Sequence, residues 1–102
     1  MNIHYSNLQS DTSLNVSMSE DFTCHDSKAF KPFVTMPFAE QGINMIIFDM
    51  KKLSHIDSGA LGMLLLCIDE ANRKKITIKF VNPHGQVSQM LNLSDKFTKY
   101  LH

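Results

Sequence analysis

The chain contains few cysteines and no tryptophan, and the low cysteine content excludes disulfide-rich and zinc-binding classes of protein. Tryptophan is absent, and only two cysteines occur, Cys24 and Cys67, far apart in the sequence. Two isolated cysteines provide neither a disulfide framework nor the paired spacing of a zinc site. Cys67 lies inside an apolar run, so we expect a buried small hydrophobe there. This cysteine usage favours a reduced, cytoplasmic environment.

Excess charge and long hydrophobic runs are also lacking. Ten basic and ten acidic residues cancel, so no bulk attraction to nucleic acid or to an anionic membrane is expected. The longest apolar run, residues 61–68, is far shorter than the ~20 residues that span a membrane, and no signal peptide is visible. No phosphate-binding loop, dinucleotide fingerprint or metal-ligand spacing occurs, so neither a metal nor a cofactor is predicted.

The pattern of apolar residues predicts a single α/β domain over residues 1–102. Strands are expected at residues 3–8, 13–18, 43–50 and 76–81, and helices at residues 29–34, 58–73 and 87–93. Alternation of strands and helices implies a mixed central sheet of about four strands, at least partly parallel, with helices packed on it.

The segments between these elements are predicted from their polar residues. Residues 9–12 are expected to form a turn, residues 19–21 to end the second strand, and residues 51–55 to form a polar connection. Pro32 and Pro37 should keep the first helix short. The strand at residues 43–50 is apolar at nearly every position, which predicts that both of its faces are covered.

The segment Ile56–Gly62 joins the most apolar strand to the longest helix and places a hydroxyl, Ser58, at the helix start. Such a hydroxyl can be a helix cap, a nucleophile or a phosphorylation site. Serine is a preferred N-cap, and Asp57 can share that task. Gly59 disfavours a helix by ~1 kcal/mol relative to alanine, which indicates that something approaches the backbone closely there.

A catalytic role for Ser58 would need a general base and an oxyanion site. His55 is three residues away, but no Gly-x-Ser-x-Gly elbow surrounds Ser58 and no acid is placed behind the histidine. Glu20 and Asp21 form an acidic pair that is more simply solvated. We therefore predict no catalytic residue and no enzyme.

The string at residues 48–64 resembles the STAS-domain family of bacterial anti-sigma factor antagonists. The family pattern is an apolar strand, a short linker and an Asp-Ser-x-Gly/Ala-Leu-Gly element that opens a helix. Five residues match this element, namely Asp57, Ser58, Ala60, Leu61 and Gly62. The resemblance is specific over residues 45–71, and the length and the element order agree over the whole chain.

The resemblance implies a binding module that regulates transcription. Ser58 corresponds to the residue that an anti-sigma factor with serine-kinase activity phosphorylates, and a PP2C-type phosphatase removes the phosphate. The unphosphorylated antagonist binds the anti-sigma factor and releases a sigma factor. The implied partner-binding residues are Asp21, Asp57, Ser58, Gly59, Ala60, Leu61 and Gly62. The alternative is a non-catalytic STAS subunit of a lipid-transport ABC complex, in which Asp-Thr often replaces Asp-Ser.

Overall fold

A computed structural model describes residues 2–6 and 12–101 of the chain. Four strands and four helices follow one another along the chain. The strands are β1 (Asn2–Ser6), β2 (Ser13–Phe22), β3 (Met45–Ile56) and β4 (Thr77–Val81). The helices are α1 (Ser27–Thr35), α2 (Ser58–Arg73), α3 (Gly85–Leu91) and α4 (Asp95–Thr98), with 3₁₀ turns at Cys24–Asp26 and Pro37–Gln41.

The strands form one sheet in the order β1-β2-β3-β4. β1 pairs with β2 antiparallel, whereas β2, β3 and β4 run parallel. The predicted mixed sheet of about four strands is therefore confirmed. Because the carboxyl ends of β2 and β3 lie at the same edge, the residues that follow these two strands are brought together.

The two central strands are longer than the sequence pattern predicts. Residues 19–21 were expected to end β2, and residues 51–55 to be a polar connection, but both stretches pair with each other up to Phe22 and Ile56. The register shifts between Ser17 and Ser19 and again between Glu20 and Asp21. These irregularities interrupt the alternation of buried and exposed side chains that marks a strand. A prediction based on that alternation therefore places the ends of β2 and β3 too early. The predicted turn at residues 9–12 lies largely outside the described residues.

A single hydrophobic core lies on one face of the sheet. Alternate residues of β3 are buried up to Met50, and those between them are half-exposed, so the prediction that both faces are covered is wrong. The buried residues of β2, β4 and of all four helices belong to the same cluster. Cys67 is buried in this cluster, as predicted, and burial raises the pKa of its thiol to about 12.

The first two helices follow the sequence signals, whereas α3 begins and ends two residues before the predicted range of 87–93, and α4 lies outside the predicted helices. α2 begins and ends at the predicted residues. α1 contains Pro32 and ends at Thr35, where Met36 adopts the left-handed conformation immediately before Pro37. Within residues 2–6 and 12–101, no helix is both long and apolar enough to cross a membrane.

Candidate functional site

Asp57 is the N-cap of α2 and connects three segments of the chain. Its Oδ1 accepts a hydrogen bond from the backbone N–H of Ala60 at 2.8 Å, and its Oδ2 accepts one from the backbone N–H of Cys24 at 3.1 Å. Its own N–H donates to the carbonyl of Phe22 at 3.2 Å. The hydrogen bond from Ala60 is the main cause of a lowered pKa for the Asp57 carboxyl.

Ser58 is the first residue of α2 rather than its cap, which corrects the reading of Ser58 as the capping side chain. Asp57 already satisfies the early helix N–H, so the serine hydroxyl is not needed for that purpose. Ser58 is exposed, and within the described part of the chain no hydrogen bond holds its hydroxyl. The hydroxyl is therefore presented to solvent at the positive end of a helix of 16 residues.

Gly59 is required by a contact inside the domain. A Cβ atom at this position would lie 2.5 Å from the Cβ of Cys24, closer than two such carbons can approach. The close approach indicated by the sequence is thus made by the 3₁₀ turn after β2. Glycine is therefore needed here for the helix to pack against Cys24. Because Gly59 is also exposed, it leaves the surface beside Ser58 free of a side chain.

Gln86 supports the same turn from the side of β4, a role for which the sequence carries no signal. Its amide accepts from the N–H of Ile56 at 2.9 Å and donates to the carbonyl of Ile56 at 2.8 Å. Nearby, His84 Nε2 lies 2.8 Å from the carbonyl oxygen of Lys51. β4 pairs with β3 only as far as Asp49, so these side chains satisfy backbone groups beyond the end of the ladder.

The other predicted partner-binding residues differ in their exposure to solvent. Asp21 is exposed near the end of β2 and is paired in register with His55, at the edge of the sheet where α2 begins. Leu61 and Gly62 are half-exposed on the first turns of α2. Ala60 is fully buried, so its side chain belongs to the core and we omit it from the contact surface.

His55 is exposed, and no hydrogen bond between it and Ser58 is found among the described residues. Residues 2–6 and 12–101 contain no group of three His, Cys, Asp or Glu side chains arranged to hold a metal ion. What the site offers is an accessible hydroxyl at the start of a helix.

This fold and this helix start define a class of small α/β domains. The model of the STAS domain family matches residues 6–100, and the chain therefore belongs to the STAS domain family. The resemblance stated from the Asp57–Gly62 element is thereby confirmed at the level of the family. A comparison with curated proteins finds no match.

Solved structures of this class include SpoIIAA, described as an anti-sigma factor antagonist and as a Bacillus cell fate determinant. Its phosphorylated form superposes with a TM-score of 0.78 at 13% identity and covers 99% of this chain and 89% of that one. The unphosphorylated form gives a TM-score of 0.74 at 12% identity, with coverage of 99% and 87%.

A transporter domain has the same fold. Murine Slc26a9, an anion transporter, matches with a TM-score of 0.72 at 18% identity, over 91% of this chain but only 16% of the transporter. At these identities the likeness shows a common fold. The choice between a regulatory and a transporter role therefore depends on the residues of the site.

Proposed function

We propose that the protein is an anti-sigma factor antagonist whose binding is switched by phosphorylation of Ser58. The observation that carries this proposal is that different residues provide the helix cap and the exposed hydroxyl at the start of α2. Asp57 supplies the cap, while the hydroxyl of Ser58 is exposed and makes no hydrogen bond among the described residues. A residue that is accessible and structurally dispensable can be modified without unfolding the domain.

The electrostatics of the helix start support a reversible switch. A phosphate on Ser58 adds ~−1.5 to −2 charges at neutral pH. The positive end of the α2 macrodipole and its backbone N–H groups favour that charge. The fold should therefore tolerate phosphorylation, and the effect falls on a partner that docked around a neutral hydroxyl.

The proposed partner is an anti-sigma factor with serine-kinase activity, and a PP2C-type phosphatase reverses the modification. The contact surface comprises Ser58, Gly59, Leu61 and Gly62, with Asp57 and Asp21 at its border. Small residues beside Ser58 give a kinase access to the hydroxyl. In this proposal the domain is a cytoplasmic binding module and not an enzyme, and it binds no nucleic acid.

Substitutions of Ser58 test the switch. We expect Ser58→Asp to weaken binding of the anti-sigma factor, because a carboxylate places negative charge on the contact surface. Ser58→Ala should bind constitutively and change the free energy of unfolding by no more than about 0.5 kcal/mol, since Asp57 is the cap. Affinity is measured by calorimetry, and stability by denaturant unfolding.

Ser54→Asp is the matched control, because Ser54 is also exposed but lies on β3, before the helix start. It should leave the affinity unchanged. Phosphate mapped to Ser54 after incubation with the kinase and ATP, or an affinity of Ser58→Asp equal to that of the wild type, would refute the switch.

A second candidate is a non-catalytic domain of a transport system, including the STAS subunit of a lipid-transport ABC complex. The likeness to a domain of murine Slc26a9 favours it. A pull-down separates the two: membrane transporter components indicate this candidate, whereas a soluble kinase-type anti-sigma factor indicates the first. The Asp57–Ser58 pair leads us to prefer the first.

A further inference from the structure

The outward side of α2 continues beyond Ser58 in residues that do not belong to the buried core. Ser58, Gly62 and Leu66 are spaced four residues apart in this helix, so they lie beside one another on successive turns. Ser58 is exposed, Gly62 is half-exposed, and Leu66 is 54% exposed. We call this side of the helix the 58–66 face.

Gly62 lowers the stability of the helix without a packing reason inside the domain. Glycine in a helix interior is less favourable than alanine by about 1 kcal/mol. A Cβ atom at Gly62 would meet no atom within 4 Å, whereas one at Gly59 would collide with Cys24. No contact among the described residues therefore explains the glycine at position 62. Its bare backbone allows another chain to approach the helix closely.

Leu66 adjoins this bare stretch of backbone. Leu66 and Leu93 are the large hydrophobic residues that are exposed in the part of the chain that the structure describes. A single exposed leucine is ordinary on a protein surface. Leu66 differs because it lies one turn from Gly62, so a partner that approaches the backbone at Gly62 also buries the leucine side chain.

The size of a stable protein interface connects Leu66 with Ser58. Such an interface covers about 800 Å² on each partner, which corresponds to a patch about 16 Å in radius. Leu66 follows Ser58 by eight residues of one helix, or about 12 Å along the helix axis. A patch of this size that is centred on Ser58 and extends along α2 therefore includes Leu66.

We propose that the anti-sigma factor that docks at Ser58 also packs an apolar surface on Gly62 and Leu66. This inference rests on the function proposed above and adds Leu66 as a residue that determines the affinity for that partner. Gly62 allows the partner to come close to the helix, and Leu66 supplies apolar area that binding removes from water.

The affinity of the chain for the anti-sigma factor that phosphorylates Ser58 tests this contact. Leu66→Gln should weaken binding by about five- to tenfold, as for an interface residue of moderate weight, and leave the free energy of unfolding nearly unchanged. Gly62→Ala should also weaken binding, although alanine stabilises the helix. A loss of affinity that accompanies a gain of stability cannot result from damage to the fold.

Leu93→Gln is the matched control, because it removes an exposed leucine that lies between α3 and α4 and not on α2. It should leave the affinity unchanged. The proposal is overturned by wild-type affinity in both Leu66→Gln and Gly62→Ala, or by an equal loss in Leu93→Gln. Sedimentation of the chain alone adds a further check, since a dimer that Leu66→Gln dissociates would assign the 58–66 face to a second copy.

Ser58→Asp separates this contact from the phosphorylation switch. If Ser58→Asp weakens binding and Leu66→Gln does not, the contact at Leu66 is wrong and the switch stands. If Leu66→Gln weakens binding and Ser58→Asp does not, the switch is wrong and the contact stands. A wild-type chain that does not bind the anti-sigma factor would refute both.

Discussion

At the scale of single residues, Asp57 determines how Ser58 is presented. One carboxylate receives hydrogen bonds from the first turn of α2 and from the turn after β2. These two bonds hold the start of the helix against the end of the neighbouring strand. Because they use the acidic side chain, the serine beside it is left exposed, and this arrangement separates the structural residue from the proposed regulatory one.

Removal of the Asp57 side chain should therefore damage both the fold and the site. We expect Asp57→Ala to lower the thermal midpoint and to weaken partner binding, since the N–H groups of Ala60 and Cys24 lose their acceptor. Asp57→Asn should lose less stability than Asp57→Ala at neutral pH, because the amide oxygen can still accept from the N–H of Ala60, whereas the amide NH₂ group cannot accept from the N–H of Cys24. Thermal unfolding followed by circular dichroism compares the three proteins, and equal midpoints would contradict this role.

The same carboxyl predicts part of the acid sensitivity. Hydrogen bonding to the N–H of Ala60 lowers the pKa of Asp57 below its ordinary value of 3.8. A group whose folded-state pKa is lowered stabilises the fold above its unfolded pKa, and this contribution is lost as the pH falls through the folded value. In Asp57→Asn the loss of stability below pH 3.8 should be smaller, as measured by urea unfolding at a series of pH values.

At the scale of elements, the start of α2 contains two glycines with different functions. A Cβ atom at Gly59 would collide with Cys24, whereas at Gly62 it would meet no atom within 4 Å. Gly59 therefore allows the 3₁₀ turn after β2 to pack on the helix, and Gly62 is not required by packing within the domain. This difference leaves the exposed side of Gly62 available to a partner.

Alanine substitution separates the two glycines. Gly62→Ala should stabilise the domain by about 0.5–1 kcal/mol, because alanine is the better helix former. Gly59→Ala should destabilise it despite the same gain, and Cys24→Gly in that background should restore part of the loss. Urea unfolding measures each change, and a stabilising Gly59→Ala would contradict the close contact in the structure.

At the scale of the whole molecule, one core joins the sheet to all four helices. The leucines of α2 contribute unequally to it. Leu64 is fully buried, Leu65 is half-buried, and Leu66 is 54% exposed. A defect at Leu64 should therefore be felt by the entire domain.

Leu64→Ala should lower the free energy of unfolding by ~2–5 kcal/mol, the range for buried leucines. Unfolding should remain a single transition in both fluorescence and circular dichroism, because no second core exists among the described residues. Leu66→Ala is the control and should have little effect on stability. Weaker partner binding at unchanged stability in Leu66→Ala would agree with the contact proposed for Leu66.

Sequence alone determined the elements that depend on local patterns. The bounds of α2, the early end of α1 before Pro37 and the alternation of strands and helices follow from side-chain periodicity and from backbone restrictions. The Asp57–Gly62 element, likewise contiguous, identified the family. Local signals of this kind are sufficient wherever the determining residues are neighbours in the chain.

Only the tertiary structure decided how that element works. The second hydrogen bond to the Asp57 carboxylate comes from Cys24, 33 residues away in sequence, and the support of Ile56 comes from Gln86, 30 residues away. The extension of β2 and β3 likewise depends on pairing between two polar stretches with irregular register. Such contacts form only when the parallel sheet brings distant segments to one edge, and no periodicity within either segment encodes them.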